Sequence, residues 1–164
     1  FKYMDQEQKK ICCPEFDPAT LHEKTHIWNN KLFITDNVRQ LFHVPVNMGK
    51  IVVKMMKQIE GAGAMPDAKD FLMLAYDPSP WKSELFMTVT KEVPGANNAR
   101  LSGTFMSRVY DGPYNHVPKW IKETDEWLAK QGKKAKKYYF HYAYCPKCSK
   151  KYGHNYCVAF AQVE

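Results

Sequence analysis

The sequence predicts an α+β protein built from two copies of one strand–helix–strand–strand module. Three observations lead to this prediction: two amphipathic helical stretches, extended apolar segments on both sides of each, and the same order of elements in both halves. Two such modules would form antiparallel sheet with the helices on one side and a cleft between the modules. A cleft of this kind is a common binding place for a small ligand.

The first module is predicted over residues 38–94. Its elements are the strand Val38–Val44, the helix Met48–Ile59 and the strands Phe71–Tyr76 and Glu84–Val89. Apolar residues recur every three or four positions along the helix, which is typical of a helix that buries one face. Gly61 and Gly63 follow where the helix should end. Residues 1–37 are predicted to be an N-terminal extension packed on the core, with an extended stretch over Trp28–Thr35.

The second module is predicted over residues 99–164. Its elements are the strand Leu101–Tyr110, the helix Val117–Lys130 and the strands Tyr138–Tyr144 and Tyr156–Val163. Pro118 falls in the first turn of the helix, where a missing N–H costs little, and Gly132 ends it. The connection Cys145–Asn155 contains Pro146 and Gly153, and this composition predicts a hairpin loop.

Alternation along the strands assigns residues to the two faces of the sheet. In the last strand of the first module, Leu85, Met87 and Val89 share a side that should pack on the first helix. Glu84 and Phe86 then point away from that helix.

The final strand divides in the same way. Its small residues should lie under the second helix, which carries two tryptophans; they are Cys157, Ala159, Ala161 and Val163. Tyr156 and Phe160 then face the opposite side. A carboxylate and several aromatic rings should therefore converge on the surface that the helices leave uncovered.

Composition limits the class of protein. The chain has 164 residues, of which 45% are hydrophobic and 14% aromatic, so it can bury a core and is not disordered. No apolar run approaches the length of a membrane span, and the polar start offers no apolar segment of a signal peptide. We therefore predict a cytoplasmic protein with no membrane partner. The net charge of +7 permits an acidic partner but does not require one.

Glu84 is the strongest candidate for a catalytic or ligand-binding residue. A carboxylate on an apolar strand, with Trp81 and Phe86 close in sequence, is costly to bury unless it is paired or functional. It could act as a general base or acid, or hold a cation that also contacts the ring faces. The alternative is a carboxylate in water, paired with Lys82 or Lys91.

A high density of aromatic residues favours a pocket for a planar ligand. Tyr142 is our choice for a proton donor to a leaving oxygen or nitrogen. The expected ligand-lining residues are His43, Trp81, Phe86, Tyr110, Tyr114, Tyr156 and Phe160. The alternative is that many of these residues belong to the core or to strand surfaces, where tyrosine is common.

Cys145 and Cys148, separated by two residues, form the usual half of a tetrahedral zinc site. Cys12 and Cys13 are the expected other half, and His141 or His154 could substitute. Such a zinc ion would be structural, since the proposed chemistry requires no cofactor. The alternative is a set of thiols without metal or with redox activity.

Lysines interleaved with tyrosines over residues 133–156 could bind single-stranded nucleic acid. These lysines cluster at a helix end and in a loop, where solvation explains them equally well. We therefore rank nucleic acid below a small molecule as a partner.

Three segments together resemble the GyrI-like small-molecule-binding proteins, which include the effector-binding domains of multidrug-sensing transcription regulators. The segments are Ser102–Phe105, Asp111–Tyr114 with its Gly-Pro-Tyr before a helix, and Trp120–Gly132. Residues 38–90 resemble the first unit of the same family, so a GyrI-like domain is identified over residues 38–164.

The resemblance implies two modules related by pseudo-two-fold symmetry and an aromatic ligand cleft between them. It also implies one of two activities: sensing of cationic or aromatic drugs, or hydrolysis of reactive electrophilic compounds. The carboxylate usual in the last strand of the second module would fall near Asn155 or Tyr156, where this chain has none. Glu84 is the matching carboxylate in the first module.

These observations predict a stand-alone protein, because residues 1–37 are too short and irregular for a DNA-binding helix-turn-helix. The expected ligand is small, hydrophobic or aromatic, and in some cases cationic, and the expected reaction is its hydrolysis with Glu84. The alternatives are a non-catalytic binding or interaction protein with a structural zinc clip, and a weak binder of single-stranded nucleic acid.

Overall fold

The computed structural model of the chain describes residue 13 and residues 15–163. These residues form an α+β structure with antiparallel sheet. In chain order its strands and helices are β1 (Lys24–Leu41), β2 (Val44–Pro45), α1 (Met48–Gly61), β3 (Met73–Ser79), β4 (Lys82–Thr88), β5 (Asn97–Asp111), α2 (Val117–Ala129), β6 (Ala135–Tyr142), α3 (Pro146–Tyr152) and β7 (Tyr156–Val163). None of the helices in the described part of the chain is long and apolar enough to cross a membrane.

Two compact units divide the described residues. The central unit contains residues 27–104, and the terminal unit contains the described residues up to 26 together with residues 105–163. Residues 27–37 thus belong to the same unit as the first predicted module. They lie in β1, which begins at Lys24, well before the predicted start at Val38.

The central unit has the strand order β2-β1-β4-β3. In β1, Ile34 and Asp36 are the cross-strand partners of Met87 and Leu85, so these four residues share one face. Lys54 of α1 contacts Asp36 with 2.9 Å between Nζ and Oδ2, which places α1 on that face. The prediction that Leu85 and Met87 face the first helix is therefore confirmed.

The terminal unit has the strand order β6-β7-β5. Leu128 of α2 packs in a buried cluster with Met106, Ala161 and Val163. Helix α2 therefore covers the face of β7 that carries the small residues, as the sequence predicted.

The connection Cys145–Asn155 joins the antiparallel strands β6 and β7, as a hairpin should, but it contains helix α3 where Pro146 and Gly153 predicted only a loop. A first-turn proline and a left-handed glycine after the last turn are also the signals that begin and end a short helix. Gly153 has φ 72° and its N–H donates to the Ser149 carbonyl at 2.9 Å, which ends α3.

Candidate functional site

Glu84 lies near the middle of β4, on the helix-free face of the central unit. Its cross-strand partners are Asn37 on β1 and Tyr76 on β3, so the carboxylate stands between an amide and a phenol. One position further along the same face, Phe86 is flanked by Thr35 and Leu74. In the opposite direction along the same face, Lys82 is the cross-strand partner of Arg39. Glu84 therefore lies where an apolar part of this face meets a basic part.

The side chain of Glu84 is half-buried, so solvent still reaches its carboxylate. Its side chain is 30% exposed, and Lys82 Nζ lies 3.4 Å from Oε1. This ion pair is the one that the sequence offered as the alternative to a functional role. A lysine on a flexible stem, itself 46% exposed, can be displaced by a cationic ligand at little cost. The arrangement leaves the carboxylate able to accept a proton or to hold a cation.

The other ligand-lining residues predicted in the central unit have different environments. Trp81 is 52% exposed and its ring lies 4.9 Å from that of Phe42. His43 is exposed, with Nδ1 3.3 Å from Asp77 Oδ2. Phe86, by contrast, is buried and meets Phe33 edge to face at 6.2 Å. Trp81 and His43 are thus accessible at the hairpin end of the sheet, whereas Phe86 belongs to the core.

Tyr110 and Tyr114 flank the turn that precedes α2. Tyr110 stacks on Trp120 with 5.4 Å between ring centroids, and its hydroxyl lies 2.7 Å from Thr124 Oγ1. Arg108 donates to the same hydroxyl at 3.2 Å. Tyr114 is exposed and its ring meets that of Tyr142 at 4.8 Å. Tyr110 is therefore engaged in packing, and Tyr114 is the more accessible of the two.

The Asp-Gly-Pro-Tyr turn is held by a network around Asp111. Its Oδ1 accepts from the Asn155 backbone N–H at 2.8 Å, and its Oδ2 lies 2.7 Å from His154 Nδ1. The Asn155 side chain in turn donates to the Gly112 carbonyl at 2.6 Å. Gly112 has φ 154°, and an added Cβ would lie 3.3 Å from the rings of His116 and Trp120. A side chain at position 112 would crowd these rings, which explains the glycine. The hydrogen bonds around Asp111 show that the motif holds the chain in a turn.

The network also affects the protonation of Asp111. Burial on its own would raise the pKa of this carboxyl, but the hydrogen bonds with His154 and with the Asn155 amide lower that pKa below its ordinary value. The carboxylate form is therefore the one that the folded turn favours.

Tyr142 lies on one face of the sheet, and Tyr156 and Phe160 of β7 lie on the other. Tyr142 is the cross-strand partner of Cys157, and it hydrogen-bonds to the thiol of that residue. Phe160 is the partner of Tyr139 and lies on the opposite face, fully buried, with its ring 5.5 Å from that of His26. Burial raises the pKa of the Cys157 thiol, although the hydrogen bond from Tyr142 acts in the other direction.

Tyr156 begins β7 on the same face as Phe160 but is only half-buried. Its ring stacks on His154 at 4.8 Å and lies 5.5 Å from that of Phe16. It thus joins the described N-terminal residues to the turn at Asp111. Its predicted place in a ligand sandwich stays a prediction.

Three of the four predicted cysteine ligands come together. The sulfur atoms of Cys13, Cys145 and Cys148 all lie within 4.8 Å of one another. Cys12 lies outside the described residues. Thiolates are the ligands that zinc accepts in structural sites, so the donor atoms fit a metal ion.

A serine and a histidine that sequence reasoning did not select also meet in the terminal unit. The hydroxyl of buried Ser107 donates to the Leu21 carbonyl at 2.6 Å and lies 2.8 Å from His26 Nε2. Because the single hydroxyl proton goes to the carbonyl, Nε2 must donate to the serine oxygen. In this arrangement His26 does not act as a base toward Ser107. The two residues are 81 positions apart in the sequence, so no local motif could have revealed the pair.

The terminal unit also contains an open cavity of about 430 Å³ on the side of α2. Its lining residues are Glu23, Arg108, Glu123, Glu126, Trp127 and Lys130. The Arg108 guanidinium lies 6.0 Å from the Trp127 ring and 3.4 Å from Glu23 Oε1. The cavity was not predicted, because its residues come from three separate segments and none of them forms a motif. Its charged residues are three glutamates, one arginine and one lysine, and of these Arg108 pairs with Glu23.

Comparison with known proteins places the chain in a family. A family model described as Bacterial hydrolase matches residues 3–163. No curated protein matches the chain.

Solved structures share the fold at low sequence identity. The C-terminal domain of EcmrR matches with a TM-score of 0.67 and 11% identity, covering 87% of this chain and 97% of that domain. A hydrolase from Listeria innocua matches with a TM-score of 0.62 and 10% identity, covering 98% of both chains. SAV2435, in a structure bound to tetraphenylphosphonium, matches with a TM-score of 0.52 and 9% identity, covering 88% of this chain and 94% of the other. These structures fit the GyrI-like fold that the sequence motifs suggested.

Proposed function

The chain belongs to the bacterial hydrolase family, and from that premise we propose that it binds a small aromatic or amphipathic molecule, preferably a cation, and hydrolyses it. The observation that carries the proposal is the position of Glu84 on the helix-free face of the central unit. Binding of a lipophilic cation by SAV2435, a protein of the same fold, supports this ligand class. Both units contain a strand, a helix and two further strands in that order, with β2 added in the central unit and α3 added between β6 and β7, and this shared order supports the proposed duplication.

Glu84 combines the properties that the proposed chemistry needs. Its carboxylate is 30% exposed, so a ligand or a water molecule can reach it. Tyr76 on the neighbouring strand offers a phenol beside it, and exposed Trp81 lies in the hairpin turn directly before β4. A cation near such a carboxylate and an aromatic face gains both ion-pair and cation–π attraction.

In the proposed hydrolysis, Glu84 takes a proton from a water molecule. The water oxygen forms a bond to the electrophilic carbon of the ligand, the bond from that carbon to the leaving oxygen or nitrogen breaks, and the leaving atom receives a proton. Tyr142, our sequence-based choice for that proton donor, belongs to the terminal unit, so its role is a separate hypothesis that Tyr142→Phe tests.

The binding part of the proposal is tested with Glu84→Gln and tetraphenylphosphonium. Isothermal titration calorimetry should show that Glu84→Gln binds the cation about fivefold to tenfold more weakly than the wild-type chain, a loss of about 1 kcal/mol in binding free energy. The loss is small because water screens a half-exposed carboxylate. Glu92→Gln is the matched control. Glu92 is in the same unit and also forms a surface ion pair, with Arg100 at 3.3 Å, but its side chain is 69% exposed.

The charge of the ligand provides a second comparison. Tetraphenylborate has nearly the same shape as tetraphenylphosphonium but carries a negative charge, so it should bind the wild-type chain more weakly and gain from Glu84→Gln. Equal affinity of wild type and Glu84→Gln for the cation would contradict a binding role for Glu84. Displacement of the cation by a single-stranded oligonucleotide at low salt would favour the nucleic-acid alternative.

The catalytic part needs a separate readout. A panel of aryl esters and aromatic epoxides should reveal turnover by the wild-type chain that Glu84→Gln abolishes and Glu92→Gln preserves. Turnover that survives in Glu84→Gln would refute the mechanism while leaving ligand binding possible. Binding without any turnover would reduce the function to that of a ligand-binding protein.

A further inference from the structure

We propose that Cys13, Cys145 and Cys148 form a zinc site that joins the described N-terminal residues to the segment between β6 and β7. This site is independent of the proposed function and would persist if ligand binding failed. One of the three thiols comes from a distant part of the chain, since Cys13 lies 132 positions before Cys145. Their convergence therefore requires tertiary structure.

The distances between the sulfur atoms suit a shared metal ion. A tetrahedral zinc ion with Zn–S bonds of about 2.3 Å holds its sulfur ligands about 3.8 Å apart. All three sulfur atoms lie within 4.8 Å of one another, so shifts of at most about 1 Å would bring them to this separation. A disulfide could join only two of the three sulfurs, whereas one zinc ion binds them all.

The surrounding contacts hold the Cys13 ligand in place. The Cys145 backbone N–H donates to Cys13 Sγ at 3.3 Å, a bond that a thiolate accepts more strongly than a thiol. The Tyr152 hydroxyl donates to the Cys13 carbonyl at 3.1 Å, and the Phe16 N–H donates to the Tyr144 hydroxyl at 2.7 Å. Both tyrosines belong to the segment that carries the other two cysteines. Outer contacts of this kind orient the ligands of a metal site.

Burial and charge are consistent with zinc. Cys13 and Cys148 are 7% and 4% exposed, and Tyr144 is buried with them. Each thiol releases a proton to solvent when it binds, so zinc with three thiolates carries one net negative charge. Lys150 and Lys151 in the last turn of α3 provide nearby positive charge. The fourth tetrahedral position is filled by a ligand from outside this set of three, and Cys145 is the most exposed of the three cysteines.

The site is tested by titrating the reduced, untagged, metal-free chain with cobalt(II) and then with zinc. We expect one cobalt per chain with the strong visible bands of a tetrahedral ion and the near-ultraviolet bands of thiolate ligation, displaced by one equivalent of zinc. Cys13→Ser, Cys145→Ser and Cys148→Ser should each weaken zinc binding by about 100-fold or more. Cys157→Ser is the matched control, because Cys157 is a buried cysteine of the same unit outside the cluster, and it should leave the affinity unchanged.

A variant that fails to fold would not decide the question, so the wild-type chain is tested as well. Zinc should raise the thermal midpoint of the metal-free wild-type chain, and the chelator EDTA should reverse the increase. Zinc should also slow the reaction of Cys13, Cys145 and Cys148 with a thiol reagent. The proposal is overturned if cobalt shows no thiolate bands, if a folded Cys157→Ser variant loses the metal, or if the reduced chain forms a disulfide within the cluster while zinc is present.

Discussion

Asp111 allows a direct test of whether the Asp-Gly-Pro-Tyr motif stabilises the turn before α2. Asp111→Ala removes two hydrogen bonds, one from the Asn155 N–H at 2.8 Å and one with His154 at 2.7 Å. Each bond of a charged acceptor contributes roughly 1.5–3 kcal/mol when sheltered. Because the Asp111 side chain is 44% exposed, water recovers part of that energy, and we expect a loss of about 2 kcal/mol in the free energy of unfolding.

Urea denaturation at neutral pH measures this loss, and Asp77→Ala is the matched control. Asp77 also faces a histidine, with 3.3 Å to His43 and 37% of its side chain exposed. Asp111 accepts a hydrogen bond from a backbone amide as well as facing its histidine, whereas the Asp77 contact with His43 is an exposed ion pair. Asp77→Ala should therefore lower the free energy of unfolding by less than about 0.5 kcal/mol.

The pH dependence gives an independent check on the same residue. The pKa of Asp111 is lower in the folded chain than its ordinary value of 3.8. Its stabilisation is therefore fully present above that ordinary value and is lost as the pH falls through the lower, folded value. The difference between wild type and Asp111→Ala should be greatest near neutral pH and should narrow below about pH 4. Equal losses for the two alanine variants, or a difference that grows in acid, would refute the reasoning.

Two further variants test the packing of the two units. Leu128→Ala removes a fully buried side chain from the cluster with Ala161 and Val163. Urea denaturation should show a loss of about 3–4 kcal/mol in the free energy of unfolding. Val53→Ala, at a residue of α1 that is 53% exposed, is the control and should lose far less. Ser83 is 1% exposed, and its hydroxyl has no hydrogen-bond partner among the described residues. Ser83→Ala should therefore be neutral or stabilise by up to about 1 kcal/mol, and a clear loss of stability would show that the hydroxyl is satisfied in solution.

Periodicity predicted most of the elements because their buried faces are regular. Helices α1 and α2 and strand β7 were predicted within two residues of their ends, since each has a continuous apolar stripe or a strict alternation. One error occurs where local signals have two meanings. Pro146 and Gly153 can bound a loop or a short helix, and only the hydrogen bonds of α3 distinguish the two.

The site was predicted less completely than the fold, for a physical reason. Alternation correctly placed Glu84 opposite the first helix, because a strand of known register has only two faces. The same rule separates Tyr142 from Phe160, but their relation became visible only with the register between β6 and β7. The pairing of Glu84 with Lys82 was anticipated as an alternative, and the structure contains it.

The amino-acid sequence by itself determined the fold class, the faces of the strands and the pair Cys145 and Cys148, because these follow from spacing along the chain. The tertiary structure alone decided which distant residues meet. It brought Cys13 to that pair, Asn155 to Asp111 and His26 to Ser107. Such meetings depend on how the strands pair and how the turns close, and no local pattern contains that information.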